Sequence, residues 1–463
     1  MKPEIFKQYD IRGIYPSEIN ENDSAVIAYE TAEVLSARNC FVSFDSRRGS
    51  KSIANAIATT LASAGLRVCI SGLASTPEFY FSVAQQKFDM GIMVTASHNP
   101  KQYNGLKIVK KGAVPVTLDE EMATVKERCL DYYELRLPTG KGEIENKSFR
   151  KEFVEYSLNS GYVDVSKLAK RLKIVVDLSS GAMGPAALEF FRRLPLDVIF
   201  MNSEPNPDFP SHSPNPMEEG SCNLLSKRVV SEGADLGIIF DGDGDRVLFL
   251  DESGRIVRGD IITAIVGEDI CSSKPRQKIL YDLRSSIFVP ETIRAAGGIP
   301  IMCRIGHSLI KRQMREERAA FAGELSGHYY YPMFNSYFEN SLITCLQLIK
   351  IVCEKGKLSI LAGRNKYFQS GELNFEVAEK ERILKEVERV FEKEKKGESH
   401  LDGLFMEFGS WRFSLRASNT EPLLRLNIEA DSEALLNEKK EVLNRIISQF
   451  SQRLIGARKN SNS

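Results

Sequence analysis

The 463-residue sequence has no CxxC pair, no GxSxG frame, no excess of charge of either sign and no unbroken run of about 18 apolar residues. Each absence excludes something. Without CxxC pairs the eight cysteines (40, 69, 129, 222, 271, 303, 345 and 353) do not suggest a zinc ribbon or a redox motif. Several sit in apolar surroundings, so they read as the reduced, buried thiols of a cytoplasmic protein. Lys+Arg and Asp+Glu balance at 62 each, which removes a global basic field for nucleic acid. The lack of a long apolar run argues against a membrane span, and residues 1–30 are mixed and charged rather than signal-like. No nucleic acid or membrane partner is therefore expected.

What is present is repetition. Three segments share one pattern: an apolar strand, an Asp at its end, small or polar residues, then an apolar helix. They are "CFVSFDSRRGSKSIANAIATTLASAG" with Asp45, "LKIVVDLSSGAMGPAALEFF" with Asp177 and "KILYDLRSSIFVPETIRAAGG" with Asp282. Their strands are β-branched or aromatic, and their helices space apolar residues three and four apart. The repeats lie more than about 100 residues apart, which is domain-sized rather than solenoid-sized. The expectation is three related α/β domains, each a sheet covered by helices. The last ninety or so residues differ. They combine the strand candidates "GELNFEVA", "GLFMEF", "WRFSLRA" and "LLRLNIEA" with two amphipathic helices. This predicts four domains around a central cleft: residues 1–150, 151–255 and 256–365 as α/β, and a smaller α+β domain over 366–463.

Four polar islands punctuate these segments. In "GIMVTASHNP" an apolar run gives way to Ser97 and His98, and Pro100 keeps Asn99 extended, so Ser97 belongs to a loop after a strand. A turn serine, a hydrolase nucleophile and a phosphoryl carrier all fit that placement, although a hydrolase more often shows GxSxG. In "GIIFDGDGDRVLFLD", Asp241, Asp243 and Asp245 alternate with glycines. Three carboxylates this close repel unless a cation neutralises them, and hard oxygen ligands suit Mg²⁺ or Ca²⁺. An EF-hand is rejected, because Arg246 stands where that loop needs glycine and "VLFL" reads as strand. In "GELSGHYYY", Glu324, Ser326 and His328 alternate and can face one way, offering donors and acceptors for hydroxyls; a polar turn fits equally. In "LRASNTEP", Arg416, Ser418, Asn419 and Thr420 suit a phosphate cradle or an ordinary turn before Pro422. Taken together the islands supply what phosphoryl transfer needs, positioning and charge neutralisation.

At this point the sequence resembles the α-D-phosphohexomutase superfamily, in particular its bacterial and archaeal phosphomannomutase/phosphoglucomutase branch. "TASHNP", "DGDGDR", "GELSGH" and "RASNTEP" match its four signatures in order, and "YDIRG" and "IGHS" match auxiliary segments. The resemblance implies an intramolecular phosphotransferase that interconverts hexose 1- and 6-phosphates through a hexose 1,6-bisphosphate. It implies a phosphoserine at Ser97 and Mg²⁺ held by Ser97, Asp241, Asp243 and Asp245. Arg246 would support the phosphoryl group, with Arg12 and Lys107 beside it, and Lys107 and His98 are the candidates for proton transfer. Glu324, Ser326 and His328 would meet the sugar, Arg284 and His307 would line its pocket, and Arg416, Ser418, Asn419 and Thr420 would bind the phosphate that is not reacting.

Two departures from the family pattern stand out. Gly244 replaces the more usual Ala, a change expected to be mild. "NSYFENSL" replaces an acidic, glycine-containing segment and opens the question of sugar preference. Leu325, a hydrocarbon after Glu324, favours mannose or glucose phosphate over glucosamine phosphate, where Gln is usual. The rival readings are a phosphoglucosamine mutase, a non-catalytic metal-dependent sugar-phosphate-binding protein, and a serine hydrolase.

Overall fold

A computed structural model describes residues 1–131, 140–168, 171–377, 379–418 and 422–460. Among the expected site residues, Asn419 and Thr420 lie outside the described residues.

The three repeats build one topology three times. In the first, strand Asn39–Phe44 sits between strands Arg67–Leu73 and Met90–Val94, parallel to both. Strand Tyr103–Lys110 then returns antiparallel to Met90–Val94, and Ile11–Ile14 adds beyond it. The second repeat places Lys173–Asp177 between the parallel strands Asp197–Met201 and Leu236–Phe240, with Val247–Leu250 returning antiparallel. The third places Lys278–Asp282 between Ile299–Cys303 and Phe321–Gly323, with Tyr329–Met333 returning antiparallel.

The local reasons lie in the sequence. Strand Met90–Val94 is buried throughout, as expected for a strand covered on both faces. Helix Ser50–Ser63 buries Ile53, Ala54, Ile57, Ala58 and Leu61 at three- and four-residue spacing against its sheet. Helix Thr76–Gln86 begins with a cap in which Ser75 Oγ accepts from the Glu78 N–H at 3.3 Å. Burying a side chain such as Phe41, Phe190 or Phe321 stabilises the fold by roughly 1.5–3 kcal/mol. All three belong to one continuous apolar cluster, so the first three domains share a core.

The fourth domain keeps its own core. Ile383, Val387 and Phe391 of helix Lys380–Phe391 pack with Trp411, Phe413 and Leu415 of strand Trp411–Ala417. The four expected strands are present, and the short edge strands Phe368–Gln369 and Gly397–Ser399 join them in a sheet of six. This sheet meets the third domain through polar contacts: Arg412 Nη2 donates to the Ser285 carbonyl at 2.8 Å, and the Ile287 N–H donates to Glu429 at 2.9 Å. Beside these contacts is a cavity of about 570 Å³, lined by Arg284, Leu325, Phe405 and Arg425 among others.

Candidate active site

The first three polar islands occupy the same position in the repeat: the loop between the third parallel strand and the antiparallel return. Ser97 lies between Met90–Val94 and Tyr103–Lys110, Asp241–Asp245 between Leu236–Phe240 and Val247–Leu250, and Glu324–His328 between Phe321–Gly323 and Tyr329–Met333. The aspartate of each repeat sits beside its loop. In every case one carboxylate oxygen accepts the N–H two residues on: Asp45 from Arg47, Asp177 from Ser179, and Asp282 from Arg284. Asp45 also accepts from Thr95 Oγ1 at 2.6 Å, and Asp282 from the Leu325 N–H at 2.7 Å, which ties them to their loops.

Ser97 is buried and has left-handed backbone (φ +52°), a conformation that costs a non-glycine residue about 1–2 kcal/mol. Its Oγ is 3.2 Å from His98 Nδ1 and 3.4 Å from Asp241 Oδ2. Burial, with Arg246 and Arg12 nearby, pushes the His98 pKa well down and leaves a neutral ring. Arg12 is held by Asp10, with its Nε 2.8 Å from Asp10 Oδ2, and its Nη1 donates to Asn99 Oδ1 in the serine loop.

The aspartate loop closes on Ser97 from the second domain. Asp241 and Asp243 are fully buried and Asp245 nearly so, and all three present oxygens within 4.8 Å of one another. Asp241 Oδ1 accepts the N–H groups of Gly244 and Arg246, which curls the loop around its own carboxylate. The two glycines serve different needs. Gly244 has φ +78°, whereas Gly242 is there for space, since a Cβ would lie 2.7 Å from the Ser97 carbonyl. The change at Gly244 is not mild in this setting, because a Cβ there would also come within 2.7 Å of Met183 Cβ.

Lys107 reaches across from the first domain, its Nζ 2.7 Å from Asp243 Oδ2 and also bonded to Asp245. Burial opposes its charge, but Asp243 and Asp245 outweigh burial and raise its pKa well above the usual value. Asp243 Oδ1 is buried without a hydrogen-bond partner, and Asp245 Oδ1, also buried, faces the His328 ring. Buried, converging carboxylate oxygens, one of them without a partner, are the donor set that a hard divalent cation takes.

Glu324, Ser326 and His328 do converge. His328 Nδ1 is 2.9 Å from Ser326 Oγ and 3.1 Å from Glu324, and its Nε2 is 3.3 Å from Asp245 Oδ1. Burial disfavours its charge, yet Asp245 prevails and its pKa rises to about 9. Glu324 is held far below the usual carboxylate range: burial opposes this, but His328 and Arg284 overcome it. Arg284 Nη2 is 2.9 Å from Asp282 and 3.3 Å from Glu324. Arg246 sits between loops, its Nε 3.4 Å from His328 Nε2 and 4.0 Å from Asp241. His307 is flanked edge-on by Tyr9, with ring centroids 5.7 Å apart, and both its ring nitrogens lack partners. Arg416 and Ser418 stand on the fourth domain: Arg416 is 3.7 Å from Glu372, and Lys380 Nζ donates to the Ser418 carbonyl at 2.5 Å.

Several contributors escaped the sequence reading. Thr76 Oγ1 donates to Asp243 Oδ2 at 2.6 Å. Arg47 lies beneath the serine loop with its side chain fully buried. The atypical "NSYFENSL" works from behind the site: Ser341 Oγ donates to the Gly244 carbonyl at 2.9 Å, and Glu339 forms a buried ion pair with Lys311 at 2.7 Å. It braces the aspartate loop.

Four family descriptions match successive parts of the chain. They are phosphoglucomutase/phosphomannomutase alpha/beta/alpha domain I over residues 3–132, domain II over 151–254, domain III over 258–367, and the C-terminal domain over 372–445. The chain belongs to the phosphoglucomutase/phosphomannomutase family. A phosphomannomutase of Methanocaldococcus jannaschii is 36% identical, over 97% of this chain and 99% of its own length. A phosphomannomutase of Escherichia coli K12 is 35% identical, over 94% of this chain and 96% of its own. A crystal structure of a phosphoglucomutase/phosphomannomutase family protein from Burkholderia thailandensis superimposes with a TM-score of 0.87 at 27% identity, covering 97% of this chain and 98% of that one. The chain is thus a phosphohexomutase-family enzyme, with the four-domain α/β fold of its relatives.

Proposed function

We propose that this enzyme interconverts hexose 1-phosphate and hexose 6-phosphate, of mannose or glucose, by lending a phosphoryl group from Ser97. The observation that supports it best is the meeting of Ser97 Oγ, 3.4 Å from Asp241, with the partnerless Oδ1 of Asp243, the carboxylate of Asp245 and the ammonium of Lys107. In the first half-reaction the bond from phosphorus to Ser97 Oγ breaks as one forms to the free sugar hydroxyl. The hydroxyl proton passes to the neutral ring of His98, the candidate acceptor, while the Lys107 ammonium is the candidate to return a proton to Ser97 Oγ. The product is a hexose 1,6-bisphosphate. It turns within the cleft, and its other phosphate returns to Ser97.

Mg²⁺ held by Asp241, Asp243, Asp245 and the phosphoserine would neutralise charge on the transferring group. Arg12 and Arg246 flank that group. Glu324, Ser326 and His328 hold sugar hydroxyls, with Arg284 and His307 lining the pocket, while Arg416, Ser418, Asn419 and Thr420 take the phosphate that is not reacting. The division into domains follows residues near 150, 255 and 365, and the enzyme works in the cytoplasm. Among the described residues no helix is long and apolar enough to cross a membrane.

Hexose specificity is supported by Leu325, whose backbone N–H is taken by Asp282 and whose side chain lines an interdomain cavity, so it offers no hydrogen bond to an amino substituent. A coupled assay with mannose-, glucose- and glucosamine 1-phosphate tests this, and preference for glucosamine 1-phosphate would instead mark a phosphoglucosamine mutase. Phosphopeptide mapping of protein treated with glucose 1,6-bisphosphate tests the serine. Absence of label at Ser97 sinks the mechanism.

A further inference from the structure

We infer that Arg47 is a positioning residue for phosphoryl transfer, one that aims Ser97 Oγ at the aspartate loop. This rests on the reading of Ser97 as the phosphoryl carrier. The guanidinium lies under residues 97–103, and its two terminal nitrogens serve four carbonyl oxygens. Nη2 donates to Ser97 at 2.6 Å and Asn99 at 2.5 Å, and Nη1 to Pro100 at 2.9 Å and Tyr103 at 3.1 Å. Its Nε is 3.1 Å from Asp45 Oδ2, and the Phe209 ring lies 5.3 Å away. Asp45 takes the hydroxyl of Thr95, whose Oγ1 accepts the Ser97 N–H at 2.8 Å. Both the N–H and the carbonyl of Ser97 are therefore anchored to one buried ion pair.

That anchoring answers a physical need. Serine does not adopt left-handed backbone without help, and such a conformation persists only where its surroundings enforce it. With the carbonyl drawn down to Arg47, the side chain is left facing Asp241. The approach is close, since the Ser97 carbonyl leaves no room for a Cβ on Gly242. Lysine could not replace the arginine, because one ammonium cannot reach four acceptors spread over seven residues. The third repeat has a counterpart: Asp282 fixes Arg284, which reaches the sugar loop directly through Glu324.

The test compares wild type, Arg47→Lys and the exposed control Arg48→Lys. The Arg48 side chain is exposed and pairs with Asp208 at the surface. Purified full-length enzymes receive labelled glucose 1,6-bisphosphate, and the rate of label entry at Ser97 is measured per folded molecule, with folding checked by circular dichroism. A roughly 10- to 100-fold slower rate in Arg47→Lys is expected, with KM for hexose 1-phosphate within about twofold and Arg48→Lys unchanged. Equal rates in wild type and Arg47→Lys would overturn the inference while leaving the serine assignment standing. A wild type that never takes label at Ser97 would overturn the serine assignment itself. A second arm uses Arg47→Ala with added methylguanidinium. Recovery of the labelling rate supports the positioning role. Recovery of the melting temperature alone, with the rate still low, refutes it.

Discussion

Glu78 Oε2 lies 3.5 Å from Arg150 Nε, joining helix Thr76–Gln86 of the first domain to the start of helix Arg150–Leu158 in the second. Both Glu78 carboxylate oxygens are buried without a hydrogen bond. Burial dominates over Arg150, and the pKa rises from the ordinary 4.5 to about 7. The folded protein therefore binds this proton more tightly than the unfolded chain does. The resulting stabilisation is complete below pH 4.5 and is lost as pH rises through about 7. The loss is on the order of 3 kcal/mol. Glu78→Gln should match wild type near pH 4.5 and melt higher near pH 8. Identical pH slopes in the two proteins would contradict this.

Ser97→Ala should reduce turnover by at least about 10³-fold, the scale seen when a nucleophile is removed. The fold should survive, because the hydrogen bonds of Ser97 Oγ among the described residues go to its neighbour His98 and, at 3.4 Å, to Asp241. Melting curves and steady-state assays on the same preparation decide it: an unfolded variant would mean that the residue is structural.

Asp243→Asn removes charge from the group that faces Lys107 and Thr76. The Mg²⁺ concentration for half-maximal activity should rise by about tenfold or more, one carboxylate among three having lost its charge. Direct calorimetric titration of the metal should show the same weakening. Unaltered metal dependence would place the cation elsewhere.

Trp411 is the only tryptophan in the chain, and it stacks on Phe408 at 4.1 Å within the core of the fourth domain. Its fluorescence therefore reports that domain alone. Because the core is separate and the contacts to the third domain are polar, the emission change in urea should precede the loss of far-ultraviolet dichroism. Coincident transitions would show one cooperative unit and contradict this.

The strand–Asp–helix repeats and the four polar islands were legible in the sequence because strand hydrophobicity, loop polarity and motif order are local properties. The strand candidates of the last domain were legible for the same reason, apart from two edge strands of two and three residues, too short to show a period. The contents of the site were less visible wherever function depends on direction. Arg47 and Arg48 are adjacent and chemically alike, yet one is enclosed under the serine loop and the other pairs with Asp208 at the surface. Only the turn at Gly49, with φ +80°, separates their fates from the helix that follows. Glu339 and Lys311 are far apart in sequence, so nothing local announced their pairing. Gly242 showed in the sequence only as a spacer between aspartates, and the clearance it gives the Ser97 carbonyl depends on a neighbour distant in the chain.

The recurrence of one loop position has a consequence for how this enzyme can change. A serine hydroxyl, a cluster of buried aspartates and a Glu–Ser–His group hang from the same bracket on three like frames, so the frame is indifferent to the tool it displays. The site exists only where the three meet, because Ser97, Asp241–Asp245 and Glu324–His328 belong to different frames. Selection on this chain therefore acts on the seams where the frames meet, and substitutions that tilt one frame by a fraction of an ångström will damage chemistry that no single frame contains.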